Sequence, residues 1–555
     1  MYNILHVLTG IGLLCPLIYL YLQGSTNWPL FLVLFLQGLI GNIALLYVRA
    51  YEDKRNWSLH YTAYFLFFTG LSAIYFTGKT NWIWFFWELS ASACFLFYIG
   101  KEKILKRDIL SILSLSLVSA VSMFLLATWV FLKEDDKAIY FLISALFLKS
   151  AFSGFHLWLS KADSGGPSHS LAIFSSLYLN MPPILFLLYI GPVWEQVKLG
   201  FILIPLAGLG VFFGGITAFF HKDIKKSLAY SSIENINLIW FSLFMFLELK
   251  SSSIENLRFL SDGFYVLFLL SILNHSLSKS FQFFSFGYLT KVFHVEDIDS
   301  AKGIGRLSQI PSWLLGVGTF SFLGLPGTPG FLFAASLLYM FSFIIDLSIP
   351  DSIFILSGII PVIFGIILGD FSHLRLYLST TFSLPDKKHF DKVVLDKPIL
   401  LKKSLILHAS GMIILGIVMN VLLIYFTDKN FQNWFLSLLF VSILTIIFIS
   451  FLLFIKRKSI VRKLSWDCGN NYSSSVTNIP ASVISDPIHS FIGKYFISSE
   501  GESIIDTFLE RNLLFLMNIR KLKAGIEQSG EVSNYLAFSS FVFILSILIL
   551  GILLF

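Results

Sequence analysis

The 555-residue chain is 56% hydrophobic and only 13% charged, with a mean hydropathy of +0.78, which excludes an ordinary soluble domain and requires a lipid environment. Its formal charge of +7 lies in loops, without a nucleic-acid pattern. The three cysteines, Cys15, Cys94 and Cys468, are far apart and form no CxxC, so this chain alone cannot hold an iron–sulfur cluster; no Gly-rich phosphate loop opens a helix.

Apolar runs of about 18–25 residues, enough to cross hydrocarbon, recur along the chain. They are read at 3–22, 29–49, 60–78, 82–100, 108–132, 138–159, 170–190, 200–220, 227–249, 262–290, 311–346, 352–372, 404–427, 433–455 and 537–555. The first lacks a basic n-region and a small-residue cleavage site, which predicts a span rather than a signal peptide. The run 138–159 carries Lys149 and then dissolves into Gly154, His156, Gly165, Gly166, Pro167 and His169. The run 311–346 is too long for one crossing and holds PGTPG in its middle, so it predicts one broken helix. Two stretches interrupt the pattern: 373–403, polar and basic, predicts a cytoplasmic loop. The second, 456–536, opens with KRKSIVRK and includes an amphipathic stretch near 503–523, which fits a helix on the membrane surface or an ordinary loop. The expected division is a transmembrane domain at 1–455, a cytoplasmic or interfacial segment at 456–536 and a last span at 537–555.

Lys and Arg crowd alternate connections: Arg49/Lys54/Arg55, Lys101–Arg107, Lys222/Lys225/Lys226, Lys291/Lys302/Arg306, 375–403 and 456–523. By the positive-inside bias these face the cytoplasm, which puts the N-terminus inside and the C-terminus outside.

Buried ionisable groups point to chemistry. Glu88 lies in WIWFFWELSASACFLF, Lys149 in IYFLISALFLKSAF, and His275 and Lys279 share one helix face in LLSILNHSLSKSFQFF. A charge at membrane depth costs roughly 2.5 kcal/mol or more unless paired or hydrated, so such groups mark ion or proton paths, or structural ion pairs. Glu88 and Lys149 suit a proton switch: burial disfavours the charged amine, and an adjacent carboxylate restores it. Irregular backbone beside Lys149 is tolerated where it lines a hydrated cavity, and water would deliver the proton. His156 and His169 flank the break as possible relays or structural histidines, and Glu234 is a possible relay or subunit contact. Asp223 with Lys225 and Lys226 marks a helix entry. No His pair supports a haem, and no cofactor or metal ligand set is expected. KSAF at 149–152 and KSF at 279–281 each precede a Gly/Pro-broken region, the trace of paired broken helices in two halves.

These residues resemble a known family. WEL around Glu88, KSxxxxFHxWLxKA from Lys149, DIKKSLAYSS at 223–232 and NHSLSKS at 274–280 resemble the antiporter-like membrane subunits of respiratory complex I, membrane-bound hydrogenases and multisubunit sodium/proton antiporters. GPSH at 166–169 with SSIEN at 231–235, and WDCG at 466–469 with PIHSFIG at 487–493, resemble the branch of hydrogenase-4 component B and formate hydrogenlyase subunit 3. The resemblance implies an all-α polytopic membrane protein of about 15 transmembrane helices with two inverted five-helix repeats. It implies a proton path through Glu88, Lys149 and Lys279, driven by a redox partner, in a subunit without a redox centre. Other membrane and soluble subunits, a cytoplasmic (inner) membrane location, and protons, with Na⁺ as the alternative ion, follow from it. The alternatives are a cation/proton antiporter subunit, an inorganic-carbon uptake partner, or a non-conducting scaffold. Three departures stand out: Asn180 occupies the place of a usual second lysine, Ala334 that of a usual acid, and an N-terminal helix is expected to be missing. They predict an intact entry half and a depleted exit half.

Overall fold

The computed structural model describes residues 28–76, 82–99, 106–132, 136–197, 199–251, 255–308, 310–345, 349–383, 385, 398–426 and 429–454, with the single positions 503 and 507. The expected first and last spans, 3–22 and 537–555, and all of the 456–536 segment except Ser503 and Thr507, lie outside the described residues.

The thirteen other expected spans each coincide with helix. In chain order these are α1 Trp28–Tyr51, α2 Trp57–Phe76, α3 Ile83–Ile99, α4 Lys106–Phe131, α5 Ile139–Lys149, α6 Leu157–Gly165 and α7 Ser168–Ile173. A π-turn at Phe174–Tyr178 leads into α8 Met181–Tyr189, followed by α9 Gly200–Phe220, α10 Ile224–Ser251 and α11 Glu255–Phe293. Then come α12 Val317–Phe322, α13 Pro329–Ile345, α14 Ile349–Phe382, α15 Pro398–Phe426 and α16 Lys429–Phe454. Nine stretches of described helix are long and apolar enough to cross a membrane, and the shorter apolar α5 and α13 each adjoin a break. An isolated bridge pairs Asp223 with Asp297 across the loops before α10 and after α11.

Helix α10 is buried along almost its whole length and forms the axis of the bundle. Helix α9 packs against it, and α9 and α14 meet each other backbone to backbone. A Cβ at Gly208 would stand 2.4 Å from the Gly358 carbonyl oxygen, and one at Gly215 would stand 2.2 Å from that of Gly365. Lipid supplies no hydrophobic drive between helices, so such small-residue contacts carry much of the packing. Tyr47 of α1 donates to the Phe284 carbonyl of α11 at 2.8 Å, tying the first described helix to the bundle centre.

Four basic-rich connections meet at one end. Lys291 donates to the Tyr51 carbonyl at 2.5 Å, Ile298 N–H to the Lys222 carbonyl at 2.9 Å, and Arg306 to the Thr381 carbonyl at 3.0 Å. The expected loop at 373–403 is shorter than the sequence suggests. Helix α14 runs on to Phe382 and buries His373 and Arg375, because Arg375 finds the His221 carbonyl as an acceptor inside the bundle. Only residues 383–397 connect it to α15.

Candidate functional site

The break after α5 builds the first half of the site. Ala151 at φ 53° and Gly154 at φ 86° turn the chain out of the helix. The freed backbone is then satisfied from elsewhere: Ser153 N–H donates to Asn237 Oδ1 of α10 at 2.9 Å, and Trp158 Nε1 to the Leu148 carbonyl at 2.8 Å. This holds Lys149, the last residue of α5, at 0% exposure. Its Nζ is ion-paired to Glu88 Oε1 of α3, itself 2% exposed, and donates to Tyr178 Oη at 3.0 Å. Trp87 and Tyr178 present ring faces to the ammonium at 5.5 and 5.7 Å. The expected Glu88–Lys149 partnership is thus present in the structure.

Tyr178 ends the π-turn, where one extra residue per turn re-aims side chains, a device frequent at functional sites. Two residues on, Asn180 joins α8 to α11: its Nδ2 donates to Ser276 Oγ at 2.8 Å, and its Oδ1 faces His275 Nδ1 at 2.9 Å. One turn along α11, Lys279 donates to the Leu228 carbonyl at 3.2 Å and to Ser231 Oγ, with its Nζ 5.3 Å from the Phe322 ring centre. Beside Lys279, Ser280 Oγ lies 3.2 Å from His408 Nε2. His275 and Lys279 are both at 0% exposure, on one face as their spacing requires.

No acid is bonded to Lys279 among the described residues, but Glu234 and Asp163 stand near enough to act on its charge. Glu234 sits in a glycine cradle: a Cβ at Gly369 would lie 2.0 Å from its Oε2, and one at Gly214 would lie 2.4 Å from its backbone nitrogen. Glu88 Oε2, Glu234 Oε2, His275 Nε2 and both Asp163 carboxylate oxygens are buried without a hydrogen-bond partner among the described residues. Such groups are costly unless water or a moving proton serves them.

The other expected relays fall elsewhere. His156 occupies the N-cap position of α6 without a side-chain capping bond and lines a small pocket with Ser153, Thr217, Tyr230 and Ser503. His169 joins Tyr64, Glu52 and His60 at the basic-rich end. Ala334 is half-buried, and a Cβ at Gly324 would lie 3.7 Å from its own, within the second break, where Gly324 and Gly327 take φ 72° and 91°. Sequence reasoning missed Tyr178 and Asp163. Tyr178 was a lone hydroxyl in an apolar run, and Asp163 an acid in a segment already read as broken.

Residues 77–349 match the family described as NADH:quinone oxidoreductase/Mrp antiporter, TM. The chain is similar to NADH-quinone oxidoreductase subunit M of Rickettsia prowazekii, at 25% identity over 190 residues, 34% of this chain and 36% of that protein. It is 29% identical to formate hydrogenlyase subunit 3 of Escherichia coli over 181 residues, 32% of this chain and 29% of that one. The chain therefore spans about a third of the length of the curated relatives it matches. Among solved structures, a chain of the membrane-bound sulfane sulfur reductase, an archaeal respiratory membrane complex, shares the fold with a TM-score of 0.66. That likeness covers 98% of this chain and 95% of the other, at 18% identity.

Proposed function

Because the chain is related to the antiporter-like membrane subunits of complex I-related complexes, we propose that it is a proton-translocating subunit without redox chemistry of its own. It would serve a membrane-bound hydrogenase-like or complex I-like oxidoreductase in the cytoplasmic (inner) membrane, with its basic-rich end and N-terminus on the cytoplasmic side. The observation that carries the reading is the Glu88–Lys149–Tyr178 cluster, an acid–amine pair buried in the bundle with a tyrosine hydroxyl on the amine.

In this mechanism Lys149 holds its proton while Glu88 is close and releases it when the pair separates. The proton then passes by Asn180 and His275 towards Lys279, which shares the buried polar layer with Glu234 and Asp163. Residues 1–455 are the conducting domain, and the 456–536 segment with the 537–555 span binds partner subunits. Asn180 and Ala334, which stand where a lysine and an acid are usual, favour a second reading, a scaffold that kept the fold and lost conduction. An antiporter subunit working with Na⁺ or in inorganic-carbon uptake is the remaining alternative.

The test is purification of the tagged full-length chain from native membranes in mild detergent. Redox subunits that reduce or oxidise a donor should come with it, and vesicles holding the complex should take up protons on donor addition. Co-purification with small membrane subunits alone, and Na⁺/H⁺ exchange without a redox donor, would overturn the reading.

A further inference from the structure

The proton path leaves a second cluster unused. Glu52 stands just past the end of α1, His60 in the first turns of α2, and His169 at the start of α7. Their ligand atoms all lie within 4.8 Å of one another. His169 Nε2 is 3.3 Å from Glu52 Oε1, and His60 Nε2 is 3.9 Å from Glu52 Oε2. The two imidazole planes are perpendicular, with centres 5.0 Å apart. The histidines are buried, while the Glu52 side chain keeps 15% exposure.

The hydrogen bonds around His169 bear on the ligand. Tyr64 Oη lies 3.0 Å from His169 Nδ1 and 3.2 Å from the His169 carbonyl, which orients the ring with Nε2 towards Glu52. In the tautomer protonated at Nδ1, Nε2 offers its lone pair as a metal ligand beside the Glu52 carboxylate, 3.3 Å away. That tautomer favours a cation between or beside the two groups. Lys291 meets part of that need: its Nζ lies 3.6 Å from Glu52 Oε1, seated over the Tyr51 ring at 3.8 Å. Its side chain is 44% exposed and also donates to the Tyr51 carbonyl, so its charge stays at the rim of the cluster.

We propose that Glu52, His60 and His169 form a binding site for a first-row divalent cation of the zinc class, with Lys291 as the competing charge at its rim. Ligands about 2.0–2.1 Å from a tetrahedral zinc stand roughly 3.4 Å apart; His169 Nε2 and Glu52 Oε1 already stand 3.3 Å apart, and the three ligand atoms all lie within 4.8 Å, so side-chain movements of about an ångström close the set round an ion. Two imidazoles and a carboxylate suit zinc and its neighbours and leave one position open to water. The Tyr64 contact fixes the His169 ring, as outer-shell partners of metal-bound histidines do. Helices α1, α2 and α7 would then be clasped at their basic-rich ends.

The test needs no proton flux, so it stands apart from the function proposed above. The full-length chain, purified in detergent and stripped of metal, is titrated with Zn²⁺ by calorimetry and with Co²⁺ by visible absorption. One saturable equivalent per chain, with the intense bands of four-coordinate Co²⁺, is expected. His60→Ala and Glu52→Gln should each weaken binding at least about ten-fold, and Lys291→Met, a change at an exposed side chain, should tighten it. No saturable binding by the wild-type chain, equal binding by His60→Ala and Glu52→Gln, or weaker binding by Lys291→Met would overturn the proposal.

Discussion

Lys149 is held by three different forces: an ion pair to Glu88, a hydrogen bond to Tyr178, and two aromatic faces. Removing only the Tyr178 hydroxyl isolates one of them. A hydrogen bond to a charged group contributes about 1.5–3 kcal/mol, so Tyr178→Phe is expected to slow proton transfer roughly ten-fold or more while the complex assembles normally. Unchanged flux in Tyr178→Phe would remove the tyrosine from the path. At the membrane surface Asp223 accepts from Lys226 N–H at 2.9 Å and caps α10. Burial, with help from Glu296, raises its carboxyl above the ordinary 3.8, against the Lys226 N–H bond and the Lys226 and Lys225 charges that lower it. A raised acid binds its proton more tightly when folded. Its contribution is therefore full at pH below 3.8 and declines as pH rises through the folded value. Asp223→Asn keeps the cap and removes the titration, so at neutral pH it is expected to be as stable as wild type or more so. Asp223→Ala should lose about 1 kcal/mol, read by thermal unfolding in detergent. Glu88, Lys149, His275 and Lys279 were legible in the sequence because each interrupts an apolar run. Tyr178, and the convergence of Glu52 with His60 and His169, were not: a hydroxyl is unremarkable in a helix, and positions 52 and 169 meet only through packing.

The broken helices show at the level of the element why each glycine is where it is. Gly154 holds φ 86° with nothing within 4 Å of an added Cβ, so its need is conformational. Gly214 is helical, but a Cβ there would meet the Glu234 backbone at 2.4 and 2.6 Å, so its need is space. Gly154→Ala is expected to cost roughly 1–2 kcal/mol with packing retained. Gly214→Ala forces α9 from α10, disturbs Glu234 and should lower thermal stability further. The reverse order would contradict this division of roles. Both breaks were legible, since Gly and Pro interrupt apolar sequence at 154–167 and 324–330. The end of α14 was not: the polar look of 373–382 suggested a loop, and Arg375 is buried only because the His221 carbonyl receives it.

At the scale of the whole molecule, an apolar bundle encloses a buried polar layer shared by α3, α5, α8, α10 and α11. The proposed division of labour gives that layer conduction and gives the tail assembly. Deleting 503–555 is therefore expected to release partner subunits in detergent, read by size-exclusion chromatography of the tagged complex; an intact complex that no longer pumps would reverse the roles. The positions of the described helices and the layer's charged residues were readable from hydropathy, because lipid forces every backbone group into helices. The links between halves, such as Asn180 with His275, rest on contacts between residues 95 positions apart, which no local pattern encodes. The central claim is that the Glu88–Lys149 pair moves protons. Donor-driven proton uptake should be measured in vesicles holding the wild-type, Glu88→Gln and Lys149→Ala complexes at equal assembly and equal redox turnover capacity. Uptake abolished or severely reduced in both variants is the predicted result; wild-type uptake in both would contradict the account.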